Sequence, residues 1–524
     1  MNQRKIVVLS LSFFLLVGCA QKQDVLLPVT TTSDVPMPVT TTSDVPMPVT
    51  TTSPEALELF NAGIKHQLNH DFLLQPQYFQ KALVLDPDFV LANLWINESD
   101  PAKWLEHFEK AKAGKDKVSE AERILVDMAV ANGEDRTKDA IKLGEELVQK
   151  YPNSSDSYVH LGNALKGIND FDGAEENYKK ALEINPENLR ALWQITSHHM
   201  NVYNGQVMRP KEEQDRSLAG RYIERMIEIS PDAGSFHQMR GNLFRAESDF
   251  ESAKKWYRDA LEIKESQGVP KAGILGVVAH NLLFNGEVEE AHNYYDSSIE
   301  SSVRPSQKIG QWNFKIQAYL FVDDYHGAIK AADELLGQIN DFGFSDSELY
   351  QNKRQVEFRK FLAFAHNKEQ EKAYDSMMLL KNYRNKQMSS LEYDEIRERN
   401  FKILDAQQEA WYYLLFGEYE KANSKLEDLY AIVSKIDNPT AIVNYRAMKG
   451  MIHLFSGDAQ KALEYLDDTI ETENYQYYSY YKALALKATE KDEEASSIFY
   501  DLANYNFNGW GASLVRSLSK DQLE

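Results

Sequence analysis

Ten alanines constrain this chain more than any other feature. They are Ala140, Ala174, Ala219, Ala253, Ala291, Ala328, Ala373, Ala422, Ala462 and Ala495, at spacings of 34, 45, 34, 38, 37, 45, 49, 40 and 33 residues. Each sits at the same place in a helix–turn–helix pattern of apolar residues at helical spacing. Self-similarity at a period of this size marks stacked supersecondary units. One such unit cannot bury its apolar face, whereas a stack buries a continuous core. The expected fold class is therefore all-α, a solenoid growing in one dimension, in place of the several globular domains that 524 residues suggest.

The clearest copy is SDSYVHLGNALKGINDFDGAEENYKKALEINPEN, residues 155–188. Counted from its first residue, Tyr158 is at position 4, Leu161 and Gly162 at 7 and 8, and Leu165 at 11. Asp170 and Phe171 follow at 16 and 17, Ala174 at 20, Tyr178 at 24, Ala181 and Leu182 at 27 and 28, and Pro186 at 32. Gly162 and Ala174 are small where the two helices of the unit cross, and Ala181 where the second helix meets the next unit. Pro186 cannot continue a helix and disfavours it in the residue before, so the second helix stops there. This pattern resembles the tetratricopeptide repeat. The resemblance implies a right-handed superhelix with a concave inner surface lined by the first helix of each unit.

Indexed this way, about 10–12 units cover residues 54–503. A weaker first unit has Gly63, Phe72, Phe79, Ala82 and Pro87 in place. Its second helix is expected to start late, because Gln75 and Pro76 stand where a small alanine and a helical residue belong. A poorly matched helix pair is expected between Phe89 and Ser119. The long spacings place insertions or lengthened helices around residues 201–214, 341–349 and 386–396. Residues 504–524 carry Trp510, Leu514 and Leu518 four apart, a closing helix expected to cap the last unit.

The N-terminus has another character. MNQRKIVVLSLSFFLLVGCA has basic Arg4 and Lys5, an apolar run of signal-peptide length, then Gly18 and Cys19. The run is too short to span a bilayer. Leu16-Val17-Gly18-Cys19 resembles a bacterial lipobox, which implies cleavage of a signal peptide at 1–18 and lipidation of Cys19, the one cysteine of the chain. Ala20 after the cysteine, by the same resemblance, implies the outer membrane. Residues 24–33 read DVLLPVTTTS and residues 34–43 and 44–53 both read DVPMPVTTTS. Proline, β-branched residues and the absence of a helical period make 19–53 an expected disordered tether. Its 34 residues after Cys19 reach at most roughly 100 Å at ~3.1 Å each.

Asp and Glu number 80 against 58 Lys and Arg, for a net charge of −22. Such a polyanion is unsuited to nucleic acid, which needs clustered cations. No HExxH, GxSxG, phosphate-binding or dinucleotide motif is present. His198-His199 point about 100° apart on a helix, awkward for one metal. Asp170-Phe171-Asp172-Gly173 lacks the first ligand of a calcium loop and reads as the turn of a repeat. No enzyme activity, cofactor or metal is expected.

The resemblance implies a protein-binding groove in which positions 2, 5, 9 and 12 of the first helices face the ligand. Asn163, Asn242 and His280 hold position 9, as does Gln317. Arg190 falls at 2, Trp193 at 5 and Arg245 at 12. An asparagine offers donor and acceptor to a peptide group, and an arginine can clamp a carboxylate. The lysine clamp of chaperone-binding members is not matched, since Val159 and Gln238 replace it. The expected function is a non-enzymatic, lipid-anchored scaffold for envelope proteins or peptide segments. The alternative is a surface lipoprotein that captures glycan, for which YQYYSYY (475–481) would have to present exposed rings; two or three of these tyrosines are expected to fill core positions, and the rest could form an exposed patch.

Overall fold

The computed structural model describes residues 44–200, 209, 213–392, 394–467 and 475–524. The signal segment, Cys19 and the first two decamers lie outside them. Among the described residues there are 25 α-helices and no strand. The 24 helices from Pro54 to Ala503 pair in succession as antiparallel hairpins, each stacked on the next. The fold is an all-α solenoid of helix–turn–helix repeats.

The alanine frame explains the stacking. Eight of the ten alanines are 0% exposed and Ala328 and Ala495 are 1% exposed, so a larger side chain has no room where the helices cross. Position 8 works with position 24. A Cβ on Gly162 would sit 2.5 Å from the Tyr178 ring, and one on Gly241 2.5 Å from the Tyr257 ring. The glycine is the slot that admits the aromatic ring from the partner helix.

The turns inside the repeats share one backbone device. Asp135, Asn169, Ser248, Gly286, Asp323, Lys368, Gly417, Gly457 and Glu490 all have positive φ, and each lies two residues before its second helix. The next residue often caps that helix. Asp170, Asp249, Asp324 and Asp458 accept from the backbone N–H three residues on. Asp170 of the calcium-loop-like run is thus a helix cap. Prolines close the unit: the Phe171–Ile184 helix ends two residues before Pro186, and the Thr137–Lys150 helix two before Pro152.

The weak first unit forms helices Pro54–Leu68 and Gln75–Leu85, with Pro76 in the first turn of the second. Val90–Trp95 and Pro101–Gly114 supply the poorly matched pair. The spacings of 45 and 49 residues after Ala328 and Ala373 arise from helices of 20 and 21 residues, Asp346–His366, Gln370–Ser389 and Glu395–Leu415.

Two arrangements go beyond local reading. The solenoid turns back on itself, so early and late units touch. Ser99 donates to Glu348 at 2.8 Å, Thr137 to the Asp437 carbonyl at 3.0 Å, and Arg399 pairs with Asp135. The expectation of a tether over 19–53 is also corrected for its last ten residues. Residues 44–53 lie extended along the body. Asp44 accepts from the Ser155 N–H at 2.9 Å and from Asn185 at 2.9 Å, and Thr51 donates to Asp86 at 2.6 Å. Polar side chains that a free tether would leave in water are all bonded here.

Candidate partner-binding groove

The position-9 residues have a use inside their own repeats. Tyr178 donates to Asn163 Oδ1 at 2.8 Å, Tyr257 donates to Asn242 Oδ1 at 3.0 Å, and Tyr295 hydrogen-bonds His280 Nδ1. Each pair is 15 residues apart, position 9 to position 24. The slot glycine lies one residue before the acceptor in the first two, so ring packing and the hydroxyl bond are set by the same geometry.

The inner surface is divided in two. Its later part is filled by the C-terminal segment of the chain itself. Asn506, Phe507 and Asn508 are buried, and Asn506 donates to the Arg245 carbonyl at 3.1 Å. Phe507 and Tyr257 both lie against the Arg245 guanidinium, which donates to the Val277 carbonyl at 3.1 Å. Arg516 sits over Phe284 and donates to the Tyr505 carbonyl at 3.2 Å. The Trp510–Asp521 helix packs on the last unit and also on the Pro305–Leu320 helix, with Trp510 against Trp411 and Phe358. It caps the last unit and plugs the middle ones.

Arg245 and His280, expected to face a ligand, are 0% exposed. This corrects their assignment to an accessible groove. Arg245 is covered by the C-terminal segment, and His280 is wedged between Tyr295 and Phe314. Burial also holds the His280 imidazole well below its ordinary pKa, hence neutral.

The rest of the inner surface is open. A cavity of about 620 Å³ runs between the turn after the first helix and the units from Trp193 to Arg359. It exists because Ser230 and Ser235 donate to Asn69, and Arg304 to the Leu73 carbonyl, holding that turn across the stack. Two expected groove residues meet here, Trp193 stacked on His70, and Asn242. Arg190 and Asn163 do not line it. Arg190 pairs with Asp156 at 2.5 Å and covers Trp95, and Asn163 is exposed beside Tyr178.

The cavity is rich in amides and more basic than the chain as a whole. Asn97, Gln238, Gln311, Asn313 and Gln355 join Asn242, and the Asn313 carboxamide oxygen is buried without a hydrogen-bond partner among the described residues. Lys103, Lys264, Arg304 and Arg359 face two carboxylates, Asp71 and Glu98. Burial lowers the Lys264 pKa while Asp71 opposes it, and burial likewise lowers that of Arg304 against Glu98 and Asp71. Burial takes His70 down to about 3, so it stays neutral. Lys264 and Arg304 lie outside the positions that repeat indexing marks, whereas Asn313, four residues before Gln317, holds a marked position and could have been named from the sequence. Lys264 sits in the last turn of a second helix, Arg304 precedes a first helix, and Asn313 holds position 5 of its unit.

The two histidines read as an awkward metal pair have other surroundings. His198 is buried against Phe171 and Tyr178. His199 accepts from the Asp215 N–H at 2.9 Å on Nδ1 and meets Glu175 at 3.0 Å on Nε2. Of the tyrosines in 475–481, Tyr477, Tyr478, Tyr480 and Tyr481 are buried, and Tyr477 bonds Trp411 and Tyr481. They form core, not an exposed platform.

Comparison with known proteins agrees with the repeat reading. Residues 155–188 and 235–267 each match a tetratricopeptide repeat model. The chain is 23% identical over 227 residues to the human mitochondrial import receptor subunit TOM70; the match covers 40% of this chain and 35% of that protein. Solved structures that it resembles include a monomeric mutant of IFIT1 with Gppp-AAAA, at 11% identity and a TM-score of 0.33, covering 78% of this chain and 91% of that one. The APC/C hetero-tetramer Cut9-Hcn1 is another, at 13% identity and a TM-score of 0.33, covering 84% and 75%.

Proposed function

We propose that this chain of tetratricopeptide repeats is a non-enzymatic scaffold that takes an extended segment of a partner protein into its open inner cavity. The observation that carries the reading is the cavity of about 620 Å³, lined by carboxamides that can match peptide N–H and C=O groups. Asn313 supplies an acceptor with no hydrogen-bond partner among the described residues, and Trp193 an aromatic wall. Tetratricopeptide arrays typically hold protein segments in this inner surface, and the relative that the chain resembles is named as a receptor subunit. The surplus of cations in the cavity favours segments carrying carboxylates.

The same proposal places the scaffold in the bacterial envelope, held to the outer membrane by lipid on Cys19. The support is the sequence alone: a basic start, an apolar run of signal length and the lipobox-like Leu16-Val17-Gly18-Cys19.

Crosslinking of the native envelope with mass spectrometry tests the first part. Partner peptides crosslinked to Lys103 and Lys264 are expected, and Asn313→Ala with Gln238→Ala is expected to remove them. Unchanged partners in that double variant would refute the cavity as the site. For the anchor, Cys19→Ser is expected to leave the membrane fraction, and retention there would refute lipidation.

A further inference from the structure

The third decamer is held by a site that reads its side chains. At one end Asp44 accepts from the Ser155 N–H, from the Ser155 hydroxyl at 2.7 Å and from Asn185 at 2.9 Å. The Val45 N–H donates to the Asn153 carbonyl at 2.9 Å, and Met47 packs on the apolar cluster of the first units. At the other end Thr50 donates to Glu122 from its N–H at 3.0 Å and from its hydroxyl at 2.5 Å. Thr51 and Thr52 donate three times to Asp86. Of the polar side chains in the decamer, only Ser53 is left over, and it caps the first helix.

This pattern is sequence-specific. Asp, Met and the three threonines each have a partner, while the prolines hold the segment extended without needing N–H acceptors. Residues 34–43 carry the identical ten residues, and residues 24–33 keep the aspartate and all three threonines. A site that recognises one copy has no means of rejecting an identical one.

We propose that this surface is a receptor for the decamer and that residues 34–43 of the same chain can occupy it in place of residues 44–53. The topology permits the exchange. With 34–43 docked, Ser43 takes the place of Ser53 beside Pro54, and residues 44–53 leave as a loop whose ends already meet. Closure of so short a loop is a modest entropic cost. The competing copy is tethered, so its effective concentration is in the millimolar range. The consequence is a tether with discrete lengths. Moving the dock by one decamer shortens the stretch between residue 19 and the docked copy from 24 to 14 residues, or by roughly 30 Å in extended chain. The change in stand-off from a membrane rests on the reading of Cys19 as the anchor; the exchange itself does not.

The test uses the full chain in detergent and a fluorescein-labelled peptide, DVPMPVTTTS. In one variant only residues 34–43 remain competent: Asp24→Asn, Asp44→Asn, and valine at Thr30, Thr31, Thr32, Thr50, Thr51 and Thr52. A second variant adds Asp34→Asn and valine at Thr40, Thr41 and Thr42. Ser53 stays in both, so the helix cap is kept. The second variant is expected to bind the peptide at least ten-fold more tightly than the first, whose own copy fills the site. Equal affinity in the two would overturn the exchange, and no binding by the second would overturn the receptor. Asp86→Asn or Asn185→Ala in the second variant is expected to abolish binding with the melting temperature unchanged; binding that survives both would sink the assigned site. Sedimentation of the first variant should give a monomer, since a dimer would show the site filled from another chain. With Cys19→Ser added, the peptide results should not change. A failed anchor and a failed exchange are thereby told apart.

Discussion

Tyr257 donates its hydroxyl proton to Asn242 Oδ1 at 3.0 Å, from the second helix of a unit to its first. The same link joins Tyr178 to Asn163 and Tyr295 to His280. A residue type that by resemblance serves a ligand is thus also a brace between helices. In Asn242 the oxygen is shared with Arg245 at 3.0 Å, which leaves the amide N–H groups for the cavity.

Tyr257→Phe keeps the ring in its glycine slot and removes one buried hydrogen bond. The expected loss is about 1 kcal/mol, read from the denaturant midpoint at unchanged slope. The contrasting variant is Gly241→Ala. Its Cβ would fall 2.5 Å from the Tyr257 ring, so overpacking of about 1–3 kcal/mol is expected. If Gly241→Ala costs less than Tyr257→Phe, the slot is softer than described.

Truncation after Ala503 removes Tyr505, Phe507, Trp510, Leu514 and Val515 from two core clusters. Each such side chain contributes about 1.5–3 kcal/mol on burial, so stability should fall sharply. Hydrogen exchange locates the effect. The Ala272–Phe284 helix under the plug should lose protection, and the Pro54–Leu68 helix should not. Loss confined to the last unit would mean that the segment only caps.

The turn residues give a pair of opposite signs. Gly457 has φ +86°, and Gly457→Ala is expected to cost about 1 kcal/mol. Glu490 has φ 60° at the equivalent place, and Glu490→Gly is expected to be neutral or stabilising by about 0.5 kcal/mol, because relief of the left-handed strain exceeds the entropy added to the unfolded chain. Thermal melts of both variants check the signs.

Decamer docking should weaken in acid. Burial pushes the Asp86 carboxyl up, and the hydrogen bonds from Thr51 and Thr52 together outweigh it, so the docked state holds Asp86 below its ordinary 3.8. A depressed pKa contributes stability that is fully present above the ordinary value and is lost as pH falls through the docked value. Affinity of the free decamer for a vacated site should therefore be flat from neutrality to about pH 5 and fall below pH 4. A rise in affinity on acidification would contradict the role given to Asp86.

The sequence alone determined the helical class, the positions of the buried alanines, the slot at Gly162 and the stops at Pro152 and Pro186. These are local matters: a helix has a fixed period, and crossing backbones tolerate only small side chains. The resemblance to the tetratricopeptide repeat put Asn163, Arg190, Trp193, Asn242, Arg245 and His280 on one inner face. Only the tertiary structure decided which of that face is open. Arg245 is closed off by Phe507, because the C-terminal segment packs into the middle of the array, whereas His280 is closed off by Phe314 of the neighbouring unit. Residues 44–53 have no helical period and so read as a tether, yet their aspartate and threonines meet Asp86, Glu122, Ser155 and Asn185, brought into line by four separate turns and helices. Periodicity reports contacts within a unit and between neighbours. Contacts made by the curvature of the whole array leave no period in the chain.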